Sequence, residues 1–474
     1  MLNYLPKIDK TPLIERIECS LSPEELYWRF SSMENSAFLN SSMTTDVARF
    51  SFIGIEPFIS LKGKKNNIEV TSSGEKFLYE KDPFELLSII LDAYRTENPT
   101  HLPFTSGGVG YFSYDLKNVI EKLPEKSKND LDLADINFVF YRAVLICDKL
   151  EPGYVYISVL NEEGSDPNSI LENIKNIISS DVYESFQDSH AGRAAPRSLR
   201  PGNLESNFTK DEYLSAIEKV LDHIRAGDVY QICLSQRFTA EWDSDPYDLY
   251  LRLNTVNPSP FSAYLNFEDV KIISSSPELF LRRRGNLIET RPMKGTRPRG
   301  NTSREDTVRK EDLLKSQKDI SELLMIVDLE RNDLGRIASV GTVEVLDERR
   351  IETYPTVFQT VAIIKYKTDS STNSADIIKA AFPGGSITGC PKIRAMEIID
   401  ELEPTARNVY TGSIGYISFH DTMDLNIAIR TMVMKDKNVY FQAGGGIVSD
   451  SDPESEYEET LHKASALIES LKQC

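Results

Sequence analysis

Two β-rich runs constrain the fold of this chain most strongly. Ile136–Leu150 reads INFVFYRAVLICDKL and Gly153–Leu160 reads GYVYISVL, with a Pro-Gly turn between them. Branched and aromatic residues in runs of this length, joined by so short a turn, predict an antiparallel hairpin. Arg49–Gly63, RFSFIGIEPFISLKG, alternates apolar and polar residues and ends on a Gly-Lys turn, so it predicts a further strand. Asp82–Tyr94 instead carries helical spacing behind an aspartate. The first half is therefore expected to be strands with short helices.

The second half opens on a helix over Thr209–Asp228, where Thr209 and Glu212 have the spacing of a capping box and Gly227 ends the run. Strands are expected in VYQICLSQRFTAEW and FSAYLNFEDVKIISSSPELFLRRRG, then a long helix around Lys315–Ile337 and another from Pro391 to Glu401. Strands YTGSIGYISF, LNIAIRTMVMKD and NVYFQAGGGIV precede a last helix from about Pro453 to Lys472. Between the halves, residues 188–207 are polar and rich in Pro, Gly and Ser, which predicts a linker or surface loop. The chain is thus divided into an N-terminal region (1–187), this connection, and a region from 208 to 474.

The net charge is −19, so the surface repels phosphate backbones and anionic membranes. Neither nucleic acid nor a membrane is an expected partner, and no apolar run approaches the length of a bilayer span. Cys19, Cys147, Cys233, Cys390 and Cys474 are scattered and lack CxxC spacing, as expected of reduced thiols in the cytoplasm. The leading MLNYLPKIDK has no apolar core of a secretory signal.

Against that acidic background, RPMKGTRPRG (Arg291–Gly300) gathers arginines around a single lysine, Lys294. It reads either as a solvated basic loop or as an amine tuned by neighbouring cations to act as a nucleophile on an anion. Two carboxylate pairs lie three residues apart on predicted helices: Asp319 with Glu322, and Glu456 with Glu459. Each pair shares a helix face. Together they suit a hard cation such as magnesium; singly, acidic helix faces are solvated. FPGGSITGCPK (Phe382–Lys392) and AGGGIV (Ala443–Val448) let backbone amides approach an anion, or are simply tight turns. Arg430, placed in an apolar strand, needs a carboxylate, from the protein or from a ligand. Glu278, after Pro277, is a general acid if burial raises its pKa and an ordinary exposed glutamate otherwise.

In their order, DVYQICLSQRF, NPSPFSAYL, SSSPELF, RPMKGTRPRG, SELLMIVDLERNDLGRI, FPGGSITGCPKIRAMEIIDELEP, YTGSIGYISF, NIAIRTMV and GGGIVSDSDPESEYEET resemble the chorismate-utilising enzymes. That family includes component I of anthranilate synthase and of aminodeoxychorismate synthase, and the isochorismate and salicylate synthases. The resemblance is strong from about Phe208 to Leu471 and weaker at ARFSFIGIEP and GGVGYFSYD. It implies an α+β fold in which two large, mostly antiparallel sheets pack as a sandwich with helices outside.

It also implies roles. Lys294 would be the covalent nucleophile and Glu278 the general acid. Asp319, Glu322, Glu456 and Glu459 would hold Mg2+. Arg430 and Tyr410 would bind a carboxylate of chorismate, with Thr388 and Gly444, Gly445 and Gly446 contacting substrate. The lysine of P-M-K-G-T is similar to the aminodeoxychorismate branch, whereas anthranilate synthases typically carry alanine there. One position departs from the pattern: Gln359 stands where the family often has histidine, and a glutamine cannot transfer a proton. The resemblance implies a separate glutamine amidotransferase subunit as the ammonia source and p-aminobenzoate and folate as the destination. Some relatives hold tryptophan in the N-terminal sheet, and FLNSSM with RFSFIG could line such a pocket here, in a competing reading of the chain as a binding or regulatory protein. The alternative member is the anthranilate synthase component, which serves tryptophan synthesis.

Overall fold

A computed structural model describes residues 5–43, 45–180, 204–354 and 357–472. The expected connection at 188–207 lies outside the described residues except for its last four. Two long strands organise the molecule: Phe50–Lys64 and Ile136–Asp148, antiparallel along nearly their whole length. A bulge between Pro57 and Ile59 shifts their register by one residue. Glu56 just before it takes a left-handed backbone, φ +56°. The bulge bends the strand pair, so that each of its halves belongs to a different sheet.

The first sheet runs outward from the Phe50–Ile55 half. On one side lie Ser36–Asn40, Phe261–Asn266, Lys271–Ser276, Thr431–Lys435, Asn438–Ile447 and Gln231–Glu241; on the other lie Tyr154–Val159 and Leu13–Glu18. The second sheet grows from the other half. Asn67–Ser72 and Glu75–Glu80 flank it on one side. Gly107–Phe112, Ser413–Ser418, Thr422–Asn426, Leu279–Arg284, Leu287–Arg291, Val357–Lys367 and Glu344–Thr353 follow on the other. Every strand pairing among the described residues is antiparallel. Strands from both sequence halves pair with one another in both sheets, as Ser36–Asn40 does with Phe261–Asn266 and Gly107–Phe112 with Ser413–Ser418.

Side-chain alternation then fixes the layers. Ala37, Ala263, Leu265 and Val433 of the first sheet meet Val109, Tyr111, Ile414 and Tyr416 of the second in a core between the sheets. The intervening residues Phe38, Tyr264 and Met432 face the other way, into a core closed by helices Pro246–Val256 and Pro453–Leu471. The outer face of the second sheet packs on helices Pro83–Ala93, Gln317–Gly335 and Ser374–Ala381. The result is the α+β sandwich of two antiparallel sheets with flanking helices.

Local signals behave as their chemistry dictates. Asp82 caps the Pro83–Ala93 helix by accepting from the Phe84 amide. Thr209 and Glu212 form both bonds of a capping box on Lys210–Arg225. The run LNIAIRTMVMKD, expected as one strand, is two: Thr422–Asn426 in the second sheet and Thr431–Lys435 in the first. The chain crosses between sheets at Ile427–Arg430, which belong to neither strand. Lys271–Ser276 and Leu279–Arg284 make the same crossing at Pro277-Glu278.

Candidate active site

The two crossings are tied together. The Ile427 amide donates to the Glu278 carbonyl at 3.0 Å, and the Ser275 amide to the Arg430 carbonyl at 3.0 Å. Glu278 and Arg430 thereby both reach one cavity of about 770 Å3. Lys294, Asp319, Glu322, Tyr410, Gly444, Gly445, Gly446 and Glu459 line it as well. Two expected residues do not. Thr388 is fully buried, and its hydroxyl donates to the Gly384 and Gly385 carbonyls at 3.1 and 3.3 Å, so it shapes the turn rather than the cavity wall. Glu456 lies just behind the wall, 4% exposed.

Glu278 is 4% exposed, not the solvated glutamate of the plainer alternative. Burial, only partly offset by a 2.6 Å hydrogen bond from Ser386 Oγ and by the charge of Lys294, pushes its pKa up to about 7. A carboxyl at that value is partly protonated at neutral pH and can deliver a proton.

Lys294 lies on the strand Met293–Pro298, paired with Val357–Lys367, and is almost buried. Its surroundings correct one expectation. The arginines of RPMKGTRPRG do not face the lysine as free cations. Arg291 binds Glu289, Asp46 and Glu352; Arg297 binds Asp312 and Asp319; Arg299 binds Asp306. Burial pulls the Lys294 pKa down, but Cys233, Glu322, Glu278 and Glu459 together outweigh it and hold the pKa above its ordinary value. Glu322 Oε2 is 3.8 Å from Lys294 Nζ. Acids, not the neighbouring arginines, set the state of this amine. Backbone space matters here too: a β-carbon at Gly446 would sit 3.1 Å from Lys294 Nζ.

Arg430, at φ +51°, forms no ion pair with any described residue. Burial drives its pKa down to about 10, with Tyr410 acting in the opposite direction. A desolvated guanidinium without a protein carboxylate is open to the carboxylate of a ligand.

The acidic helices converge. Ser316 caps Gln317–Gly335, which carries Asp319 and Glu322; Pro453–Leu471 carries Glu456 and Glu459. Glu322 Oε1 and Glu456 Oε2 are buried with no hydrogen-bond partner. A β-carbon at Gly445 would lie 3.1 Å from Glu456 Oε2 and 3.7 Å from Glu459 Oε1, so the glycine keeps that corner open. Buried carboxylate oxygens left without a partner suit a divalent cation in their chemistry. Glu322, Glu456 and Glu459 are the residues that would hold it. Asp319 is bound by Arg297 at 3.1 Å. Among the described residues, the one group of three acids and histidines whose ligand atoms all lie within 4.8 Å of one another is His101, Asp148 and Glu151, away from the cavity, with Arg49 on Asp148 and Arg16 on Glu151.

Two functional-looking residues, Arg407 and Ser386, escaped sequence reasoning. Arg407 is held bidentately by Glu403 at 2.8 and 2.7 Å and lines the cavity. Ser386, inside the glycine-rich run, is the donor to Glu278. Gln359 lines the cavity and donates from Nε2 to Thr296 Oγ1 at 3.3 Å. A second cavity of about 180 Å3 gathers Leu39, Asn40 and Ser41 with Phe50 and Phe52, so FLNSSM and RFSFIG do meet.

The comparisons agree with this architecture. The family model described as chorismate binding enzyme matches residues 35–469. The anthranilate synthase component 1 of Aquifex aeolicus (strain VF5) is 39% identical over 429 residues, 90% of this chain and 86% of that protein. The aminodeoxychorismate synthase component 1 of Bacillus subtilis (strain 168) is 37% identical over 428 residues, 90% of this chain and 89% of that protein. The crystal structure of anthranilate synthase component I from Streptococcus pneumoniae TIGR4 superposes with a TM-score of 0.78 at 29% identity, covering 96% of this chain and 99% of that one. The chain belongs to the chorismate binding enzyme family, within the group of chorismate-utilising enzymes that holds both synthases.

Proposed function

We propose that this chain is the synthase component that converts chorismate and ammonia to 4-amino-4-deoxychorismate. The observation that carries the reading is Lys294, an amine in the wall of the cavity that Glu278 also lines, within electrostatic reach of that carboxyl. In the proposed sequence Arg430 and Tyr410 hold a substrate carboxylate. The neutral Lys294 amine attacks ring carbon C2, both ring double bonds shift, and the C4–O bond breaks so that the hydroxyl leaves as water with the Glu278 proton. Ammonia then adds at C4 and gives up a proton to the Glu278 carboxylate, both double bonds shift back, and the C2–N bond to lysine breaks.

In the ligand-free protein the carboxylates keep Lys294 protonated. A Mg2+ ion held by Glu322, Glu456 and Glu459 would neutralise them and offer counter-charge to a second substrate carboxylate. On the same reading a separate glutamine amidotransferase subunit delivers the ammonia, the reaction runs in the cytoplasm, and the product leads to p-aminobenzoate and folate. Tryptophan is assigned to the smaller cavity at Leu39–Ser41.

The named relatives include both synthases, at 39% and 37% identity, so anthranilate formation is the second reading. Product analysis decides between them. The purified chain is mixed with chorismate, magnesium and ammonium salt, with and without an aminodeoxychorismate lyase. The expected product is p-aminobenzoate, only with the lyase, and Lys294→Ala should reduce its formation about 10³-fold or more. Anthranilate and pyruvate, formed equally well by the alanine variant, would overturn the lysine mechanism.

A further inference from the structure

The acidic cluster is not bare. Lys318 Nζ lies 3.5 Å from Glu456 Oε1 and 4.0 Å from Glu322 Oε1, and Lys463 Nζ lies 2.5 Å from Glu459 Oε1. We propose that Lys318 is a built-in counter-ion that a divalent cation must displace, and that its release turns a positive charge towards the mouth of the cavity, where an anionic substrate enters. This inference rests on the metal reading above.

Three observations make Lys318 the exchangeable partner. Its side chain is 45% exposed, whereas Glu456 is 4% exposed and Glu322 13%. The ammonium can therefore rotate into water while the carboxylates stay fixed on packed helix faces. Lys318 also sits at the second position of Gln317–Gly335, where the helix dipole disfavours a cation. Its partner Glu322 follows it by four residues, the weaker of the two orders for such a pair. The shorter of its two contacts is to Glu456 of the other helix, at 3.5 Å, and holds it against the dipole of its own. Finally, Glu456 is only half satisfied. One oxygen accepts from Ser451 Oγ at 2.6 Å and faces Lys318, while the other has no partner.

Charge count supports exchange over addition. Lys294, Lys318 and Lys463 already match Glu322, Glu456 and Glu459 one for one. A dication added on top would leave an excess of two positive charges in a half-closed space. Displacing Lys318 relieves part of that excess. The residue lines the same cavity as Arg430, so its freed charge faces the substrate space.

The test is Mn2+ binding to the full chain, followed by calorimetry and by loss of the free-ion paramagnetic resonance signal, for wild type, Lys318→Met, Lys318→Arg and Glu456→Gln. The methionine variant should bind Mn2+ about tenfold more tightly or better, because one competing charge a few ångströms away is gone. The arginine variant should stay near wild type, and Glu456→Gln should lose binding. At saturating metal, Lys318→Met should raise the chorismate KM more than it lowers kcat. Unchanged or weaker Mn2+ binding by Lys318→Met, with Glu456→Gln still abolishing it, overturns this inference alone. Mn2+ binding that ignores Glu456→Gln removes the metal reading and the inference with it. Lys318→Gln serves should the methionine variant not fold.

Discussion

The two cavities differ in what they do with charge. Around the smaller one, Asp46 is bound by Arg291 and Arg350, Arg49 by Asp148, and Arg282 and Arg284 share Asp424. Each charged side chain of that wall is answered by another side chain of the protein. Around the larger one, Arg430 has no acid among the described residues, Glu322 and Glu456 each keep an orphaned oxygen, and Glu278 is held by one serine. Charges satisfied within the chain lock sheets together, because removing one partner strands the other. Charges left open raise the free energy of the empty protein and lower it again when a ligand of complementary charge arrives.

The comparison can be broken at its largest effect first. Glu278→Gln keeps the shape of the acid but not its proton, and should lower kcat/KM by about 10²–10⁴-fold. In the wild type the acid is present below its pKa of about 7 and lost as pH rises through that value, so the alkaline limb of kcat/KM should fall about tenfold per pH unit above it. The glutamine variant should lack that limb. A pH–rate profile that leaves the limb in place would assign the proton to another group.

Asp424→Asn attacks the closed network instead. It leaves Arg282 and Arg284 without their carboxylate and should cost about 3–5 kcal/mol in denaturant unfolding, with kcat/KM per folded molecule within about threefold of wild type. Loss of activity without loss of stability would erase the distinction between the cavities. Arg430→Gln is the complementary, smaller change. The chorismate KM should rise about 10²-fold, as expected for two charge-assisted hydrogen bonds, while the unfolding midpoint stays level or rises. A destabilised variant with normal KM would show that Arg430 is structural.

Much of the fold was legible as local pattern. The capping box at Thr209–Glu212, the aspartate start at Asp82 and the hairpin after Ile136 each depend on residues within a few positions of one another. The i, i+3 carboxylates were legible for the same reason, and both pairs lie on helices as spaced. The misjudged places are those where two distant segments meet. Arg430 lies in no strand because its run changes sheets there, and strand pairing is decided by partners more than a hundred residues away. The arginines flanking Lys294 are not the free cations expected beside it, since each is taken up by a carboxylate, several of them from segments distant in the sequence.

The sequence by itself thus determined which elements form and, through the order of its motifs, which family the chain belongs to. Periodicity and capping act over a few residues, and motif order needs no coordinates. Only the tertiary structure decided the electrostatic states. Glu278 is protonatable near neutrality because the sandwich buries it, and Lys294 is held cationic because acids from two helices close on it. Burial and charge distance are properties of the packed chain, and no spacing along the sequence encodes them.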